Sequence, residues 1–180
     1  MSEAPDLLPS PVTIVTGYYP LVHNKRPVQE YERLCSLTCR INHPMVICTN
    51  AEYAPFFSKQ RSAHNTVIIV QEFHDLSLQQ EPWKSIWRET HSLDPEGHIY
   101  TSEMYAVYAM KQAFVRKAAK ENPFASKWFV WIDVGLFREE SDVDCLQIES
   151  NRPMQNVPLI CDDDRMVLMQ VYPINQTLLD

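Results

Sequence analysis

Four short apolar segments alternate along the chain with longer stretches in which apolar residues recur at helical spacing. The segments are rich in β-branched and aromatic residues, a composition typical of buried strands. They cover residues 12–16, 45–49, 66–70 and 128–133. The last of them begins with five large apolar residues in a row, which predicts a strand buried on both faces.

Helices are predicted between these strands, and the alternation defines the fold class. The helical stretches are residues 28–40, 51–61, 78–91 and 102–121. Thr101 or Ser102 is suited to cap the fourth helix, and Asn122-Pro123 ends it. Strands that alternate with helices predict an α/β fold, a doubly wound and mainly parallel sheet with helices on both faces.

The length of 180 residues predicts one domain. The acidic, proline-rich residues 1–11 are typical of a disordered lead-in, which leaves residues 12–180 as the domain. Within it, residues 139–156 are polar and acidic and show no clear period. Two further short strands are predicted at 158–161 and 166–172.

Composition narrows the class of protein. An apolar content of 45% and a charged content of 22% are typical of an ordered domain. The net charge of −7 argues against nucleic acid as a partner. No apolar run approaches the roughly 20 residues that span a bilayer, so no membrane span is predicted. The five cysteines include no CxxC pair, which favours reduced thiols in the core and a cytoplasmic location.

Distinctive residues mark the ends of the first and fourth predicted strands. Thr16, Gly17, Tyr18 and Tyr19 follow one another at the first, and Asp133 ends the fourth. Because the carboxyl ends of parallel strands open onto one edge of a sheet, we expect these residues to meet there. The glycine would let a ligand approach the backbone, and a tyrosine can stack on a base. No GxGxxG or GxxxxGK[ST] sequence is present, so a nucleotide would be held in another way.

Charged residues near this edge supply the candidate chemistry. Asp133 is a candidate metal ligand, since hard divalent cations often bind one or two carboxylates together with substrate phosphates. Lys111 lies near the middle of the apolar face of the helix 102–121. A lysine there reaches solvent, pairs with an acid or contacts an anionic ligand. Glu103 lies in the first turn of the same helix, where an acidic side chain interacts favourably with the helix dipole. Arg138 follows the fourth strand closely enough to reach an anion.

Several motifs together resemble the bacterial HtrL/YibB-type family. They read TSEMYAVYAMKQAFV at residues 101–115, NPF at 122–124 and WIDVGLFR at 131–138, and the opening TIVTGYY at 13–19 is similar to the family's first strand. The family is regarded as glycosyltransferase-like. The resemblance implies a GT-A-type, Rossmann-like fold that binds a nucleotide-sugar.

The resemblance also implies roles for particular residues. The segment from Thr16 to Tyr19 would contact the nucleotide, and Lys111 would approach its diphosphate. Asp133 would be the acid that holds Mn²⁺ or Mg²⁺ on that diphosphate, although Gly135 stands where the second acid of the usual Asp-x-Asp motif is found. Independently of the resemblance, Glu103 and Arg138 are further candidate substrate-binding residues.

Two functional hypotheses follow. The first is a glycosyltransferase that moves a sugar from a nucleotide-sugar donor to an acceptor whose identity the sequence does not indicate. The second is a non-catalytic α/β binding or interaction domain, because the second metal-binding acid is missing and the acceptor-binding half of a GT-A domain is expected to be absent or reduced.

Overall fold

A computed structural model describes residue 7, residues 9–21 and residues 26–149 of the chain, with side chains described as far as residue 144. Within these ranges it contains four strands and five α helices. The strands are β1 Val12–Tyr18, β2 Met45–Thr49, β3 Thr66–Val70 and β4 Trp128–Trp131. The helices are α1 Val28–Cys39, α2 Ala54–Gln60, α3 Trp83–Leu93, α4 Ser102–Glu121 and α5 Glu140–Glu149.

The four described strands form one parallel sheet in the order β3-β2-β1-β4. Val15 of β1 is paired with Val46 of β2 on one side and with Trp131 of β4 on the other. Every residue of β2 is buried, and β1 is buried except for a half-exposed Gly17. The predicted α/β fold with a parallel sheet is therefore confirmed.

Helices cover both faces of the sheet because strand side chains alternate between the faces. Ile14 belongs to a core cluster that includes Leu34 of α1, Phe57 of α2 and Val143 of α5. Its neighbour Val15 belongs to a second cluster on the other face, built mainly with α4. The doubly wound arrangement follows directly from this period of two.

Most element boundaries agree with the prediction. The predicted β2, β3 and α4 match the observed bounds, β1 extends two residues further, and α1 ends one residue earlier. The predicted helix 51–61 is shorter, and 78–91 is divided between short 3₁₀ turns and α3. The strands predicted at 158–161 and 166–172 lie outside the described residues.

One interpretation of β4 was wrong, and a helix after β4 was not predicted. β4 is half-buried along its length, not buried on both faces, because it pairs with β1 at one end of the described sheet. The acidic residues after β4 form α5. The sequence did not predict this helix, because these residues show no clear period of apolar side chains. Asp142 accepts hydrogen bonds from the Arg138 and Glu139 amides at 2.8 and 3.0 Å, so an acid in the first turn stabilises the helix start.

A partly buried guanidinium joins the end of α1 to the loop before β2 and to β3. Arg61 donates to the carbonyls of Cys39, Ile41 and His43 at 2.7–2.8 Å, and its Nε donates to Thr66 Oγ1 at 2.9 Å. Burial lowers the pKa of this guanidinium. Arg61 thus satisfies carbonyls that the helix end and the following loop leave without backbone partners.

Three cysteines are free thiols in the core. Cys35, Cys39 and Cys48 are all buried. Burial raises the pKa of Cys39 to about 11 and that of Cys48 to about 12, and it also raises the pKa of Cys35. The prediction that the cysteines are reduced thiols in the core is confirmed for these three.

Candidate functional site

A cleft of about 450 Å³ opens at the carboxyl ends of β1 and β4. The chain leaves β1 through α1 toward β2 on one side, whereas β4 is reached through α4 on the opposite face. The connections therefore diverge between β1 and β4. In open α/β sheets such a switch point leaves a crevice in which ligands bind. Residues of both strand ends line the cleft, as the sequence predicted.

The floor of the cleft depends on close packing between β1, β2 and β4. A Cβ on Gly17 would meet the Cys48 carbonyl oxygen at 3.1 Å and Cη2 of Trp131 at 3.4 Å. The missing side chain of Gly17 thus makes room for the Trp131 indole. Thr16, which is 1% exposed, donates from Oγ1 to the Ile132 carbonyl at 2.6 Å and fixes the backbone just before Asp133.

Asp133 accepts hydrogen bonds from two directions. Lys111 Nζ lies 2.7 Å from Oδ1 and 2.9 Å from Oδ2 of this carboxylate. Trp131 Nε1 donates to Oδ1 at 2.9 Å. The sequence left three alternatives for Lys111, namely solvent, an acid or an anionic ligand, and the structure shows that it pairs with an acid.

Lys111 is also enclosed by aromatic rings. Its Nζ lies 5.0 Å from the ring centroid of Tyr108 and 5.9 Å from that of Trp131, within the range of cation–π attraction. The Lys111 side chain is 27% exposed, against 56% for that of Asp133. The ammonium is therefore held in one place while still in contact with solvent.

Two arginines add positive charge to the cleft. Arg26 precedes α1, and Arg138 follows β4. The Arg138 guanidinium lies over Gly135, where an added Cβ would meet Nη1 at 3.5 Å. Within the described residues neither guanidinium is in an ion pair, so both are available to an anion. Arg138 was predicted, but Arg26 was not.

Aromatic side chains complete the walls of the cleft. Tyr31, Tyr100, Tyr108 and Trp131 all line it. Tyr108 is 47% exposed, and burial of its phenol is the main cause that raises its pKa to about 12. The Tyr108 phenol therefore stays neutral near pH 7 and acts as a hydrogen-bonding and stacking group.

The family of bacterial proteins of unknown function termed HtrL_YibB matches residues 10–173. The chain belongs to this family. No curated protein and no solved structure matches the chain. The resemblance seen in the motifs at 101–115 and 131–138 is thus confirmed at the level of the family.

In this HtrL_YibB family member, the remaining predicted contacts lie in different surroundings. Tyr18 and Tyr19 line the cleft, but each is 4% exposed and packs its ring into the core, which leaves little ring surface for stacking on a base. Tyr19 is stacked on Phe114, with centroids 5.9 Å apart. Glu103 is not among the lining residues. Hydrogen bonds with Thr101 and its own helix start lower the pKa of its carboxyl.

The cleft residues missed by sequence reasoning are Arg26, Tyr31 and Tyr100, together with Tyr108 as a site residue. Tyr108 precedes Lys111 by three residues, a spacing that places both on one face of α4. That spacing could have identified it. The other three lie at or before helix starts, where no local pattern indicates which side chains turn toward the sheet edge.

The described residues around Asp133 offer few ligands for a divalent cation. Asp133 is the one carboxylate among the described lining residues, and its oxygens already contact the Lys111 ammonium and the Trp131 indole. Across the described part of the chain, no cluster of three or more His, Cys, Asp and Glu side chains is arranged to hold a metal ion. Binding of Mn²⁺ or Mg²⁺ by Asp133 stays a prediction.

No helix in the described ranges is both long enough and apolar enough to cross a membrane.

Proposed function

We propose that this protein binds a nucleotide-sugar donor in the cleft and transfers its sugar to an acceptor. One observation carries the proposal. A crevice at the switch point between β1 and β4 combines three cationic side chains with six aromatic ones, of which two, Tyr18 and Tyr19, are buried. Cations suit a diphosphate, and aromatic rings suit a base or a sugar ring.

The charge in the cleft is opposite to that of the whole chain. Arg26, Lys111 and Arg138 face a single described carboxylate, Asp133, in a protein of net charge −7. Such a local excess of one sign attracts ligands of the other sign. Arginine also binds phosphate oxygens through two parallel hydrogen bonds, which adds geometric specificity.

The same cations account for the chemistry of transfer. The bond between the anomeric carbon and the diphosphate oxygen breaks, and its electron pair stays on the diphosphate. The acceptor hydroxyl forms the new bond to the anomeric carbon and releases its proton to the departing diphosphate or to water. Positive side chains fixed beside the departing diphosphate stabilise the charge that develops on it, which is the electrostatic form of catalysis.

A second candidate function is donor binding without transfer. The observation that favours it is the engagement of Asp133 with Lys111, because the described lining residues then offer no unpaired carboxylate to take the acceptor's proton. Under this second hypothesis the protein is a non-catalytic binding domain, and the same cleft is its ligand site. It predicts affinity for the donor but no release or transfer of sugar.

Calorimetric titration with UDP and GDP tests the proposed ligand class. We expect the nucleoside diphosphate with the preferred base to bind at least about tenfold more tightly than its monophosphate, because the second phosphate meets further cations. UMP and GMP serve as matched controls. A folded sample that binds neither diphosphate would reject the donor site.

Transfer is measured separately. After a binding nucleotide has been identified, the corresponding nucleotide-sugars are incubated with the protein, and the released nucleoside diphosphate is quantified. Slow release with water as the acceptor is expected of a transferase. Tight donor binding with no release above the protein-free rate, in the presence of an acceptor panel, would favour the binding domain.

A further inference from the structure

We propose that the cleft recognises the diphosphate of its ligand with Lys111, Arg26 and Arg138 in place of a divalent metal ion, and that Asp133 positions Lys111 instead of ligating a metal. This inference rests on the proposed function, since it concerns the diphosphate of the proposed donor. It differs from the expectation that Asp133 holds Mn²⁺ or Mg²⁺.

The first support is the geometry of the ion pair. Both oxygens of Asp133 lie within 2.9 Å of Lys111 Nζ, and the Trp131 indole holds Oδ1 from another side. Tyr108 and Trp131 confine the ammonium from its flanks. Lys111 is therefore a fixed positive charge and not a mobile surface lysine.

The second support is the remaining capacity of that ammonium. A lysine ammonium has three N–H donors and no acceptor. One of them donates to Oδ2 of Asp133 at 2.9 Å, so further N–H donors and the positive charge remain for a phosphate oxygen. Phosphate-binding lysines act in this way, as point charges.

The third support is the charge balance. The described lining residues carry three cations and one anion, an excess of two positive charges. The diphosphate of a nucleotide-sugar carries about one negative charge per phosphate, so protein side chains alone can neutralise it. A divalent cation bound to Asp133 would lie at about 2.0–2.6 Å from a carboxylate oxygen, next to the ammonium that already contacts this group. Like charges at that separation repel each other.

The first test compares affinity with and without metal. Calorimetric titration of the full chain with UDP and GDP is performed in EDTA and again in excess Mn²⁺. We expect the two dissociation constants of the binding nucleotide to agree within about twofold. Binding that requires Mn²⁺, or that tightens about tenfold with it, would overturn the inference and leave donor binding intact. Absence of binding under both conditions would instead overturn the proposed function.

The second test removes the cation. Lys111→Met keeps the length of the side chain but not its charge, and we expect it to weaken nucleoside diphosphate binding in EDTA by about tenfold or more. Lys127→Met is the matched control, because Lys127 also lies over a tryptophan ring, 5.1 Å from the centroid of Trp128, but does not line the cleft. Its dissociation constant should equal that of the wild type. An unchanged affinity in a folded Lys111→Met would contradict the inference.

The third test distinguishes positioning from metal ligation by Asp133. In the Lys111→Met background Asp133 is an unpaired anion in the cleft, so adding Asp133→Asn should restore part of the lost affinity in EDTA. Metal ligation makes a different prediction for the titration in Mn²⁺, namely that Mn²⁺ tightens binding by Lys111→Met and that the double variant loses this response. Circular dichroism before each titration confirms that the variants are folded. A double variant without any recovery overturns the role given to Asp133.

Discussion

Gly17→Val is expected to destabilise the protein by about 2 kcal/mol, because extra atoms in a close-packed site force neighbours to move. Even a single Cβ at this position would lie 3.1 Å from the Cys48 carbonyl oxygen and 3.4 Å from Trp131 Cη2. The backbone of β2 cannot move without breaking its pairing, so the indole must shift. The hydrogen bond from Trp131 to Asp133 would then be lost, and ligand binding should weaken together with stability.

Urea denaturation followed by circular dichroism measures the change in the free energy of unfolding. Gly135→Ala is the control, since a Cβ there meets only the Arg138 guanidinium, at 3.5 Å or more, and that side chain can move. We expect this control to stay within about 0.5 kcal/mol of the wild type. Equal stabilities of the two variants would show that the space beside Trp131 is not what requires a glycine at position 17.

Arg61→Ala is expected to destabilise the fold further, by about 3 kcal/mol, because removal of one partner leaves buried acceptors unsatisfied. The carbonyls of Cys39, Ile41 and His43 all receive hydrogen bonds from this one guanidinium. Arg61→Lys should recover only part of the loss, since one ammonium cannot reproduce the fork geometry that serves several carbonyls. Urea denaturation of both variants gives the comparison.

Arg33→Ala is a suitable control for Arg61. Arg33 makes two hydrogen bonds of 3.0 Å to Glu30, but its side chain is 44% exposed on the surface of α1. Exposed ion pairs contribute little to stability, so its unfolding midpoint should be close to that of the wild type. If Arg33→Ala and Arg61→Ala shifted the midpoint equally, the carbonyls around Arg61 would not be the source of its effect.

The sequence singled out Lys111 and Asp133 as candidate cleft residues, but it left open whether they pair with each other. Lys111 was identified because it lies on the apolar face of α4, where a lysine reaches solvent, pairs with an acid or contacts an anion. Asp133 was identified because a predicted strand ended in an acid. The two residues are 22 positions apart, and only the packing of α4 beside β4 brings their side chains within 2.9 Å. The choice between an ion pair and a metal ligand therefore depends on tertiary structure.

The errors have a physical cause as well. Apolar composition predicted that β4 is a strand, but it could not show that β4 pairs on one side only among the described strands. The sequence also could not show how deeply the ring of Tyr18, a candidate for stacking on a base, is buried. Its side chain points from the end of β1 into a group of tyrosines, with the ring of Tyr53 at 5.0 Å and that of Tyr31 at 5.8 Å. No local pattern distinguishes a strand-end tyrosine in the cleft from one in the core.

The reactivity of the buried thiols can report local unfolding of this protein. The thiolate is the reactive form of cysteine, and burial together with a raised pKa keeps Cys35, Cys39 and Cys48 unreactive in the folded state. Cys35 and Cys39 are on the buried side of α1, whereas Cys48 lies on the opposite face of the sheet. Pulsed alkylation resolved by mass spectrometry should therefore report separately on the opening of the two faces. Labelling of Cys48 before Cys39 would mean that the α4 side of the sheet, which supplies Lys111 to the cleft, opens first.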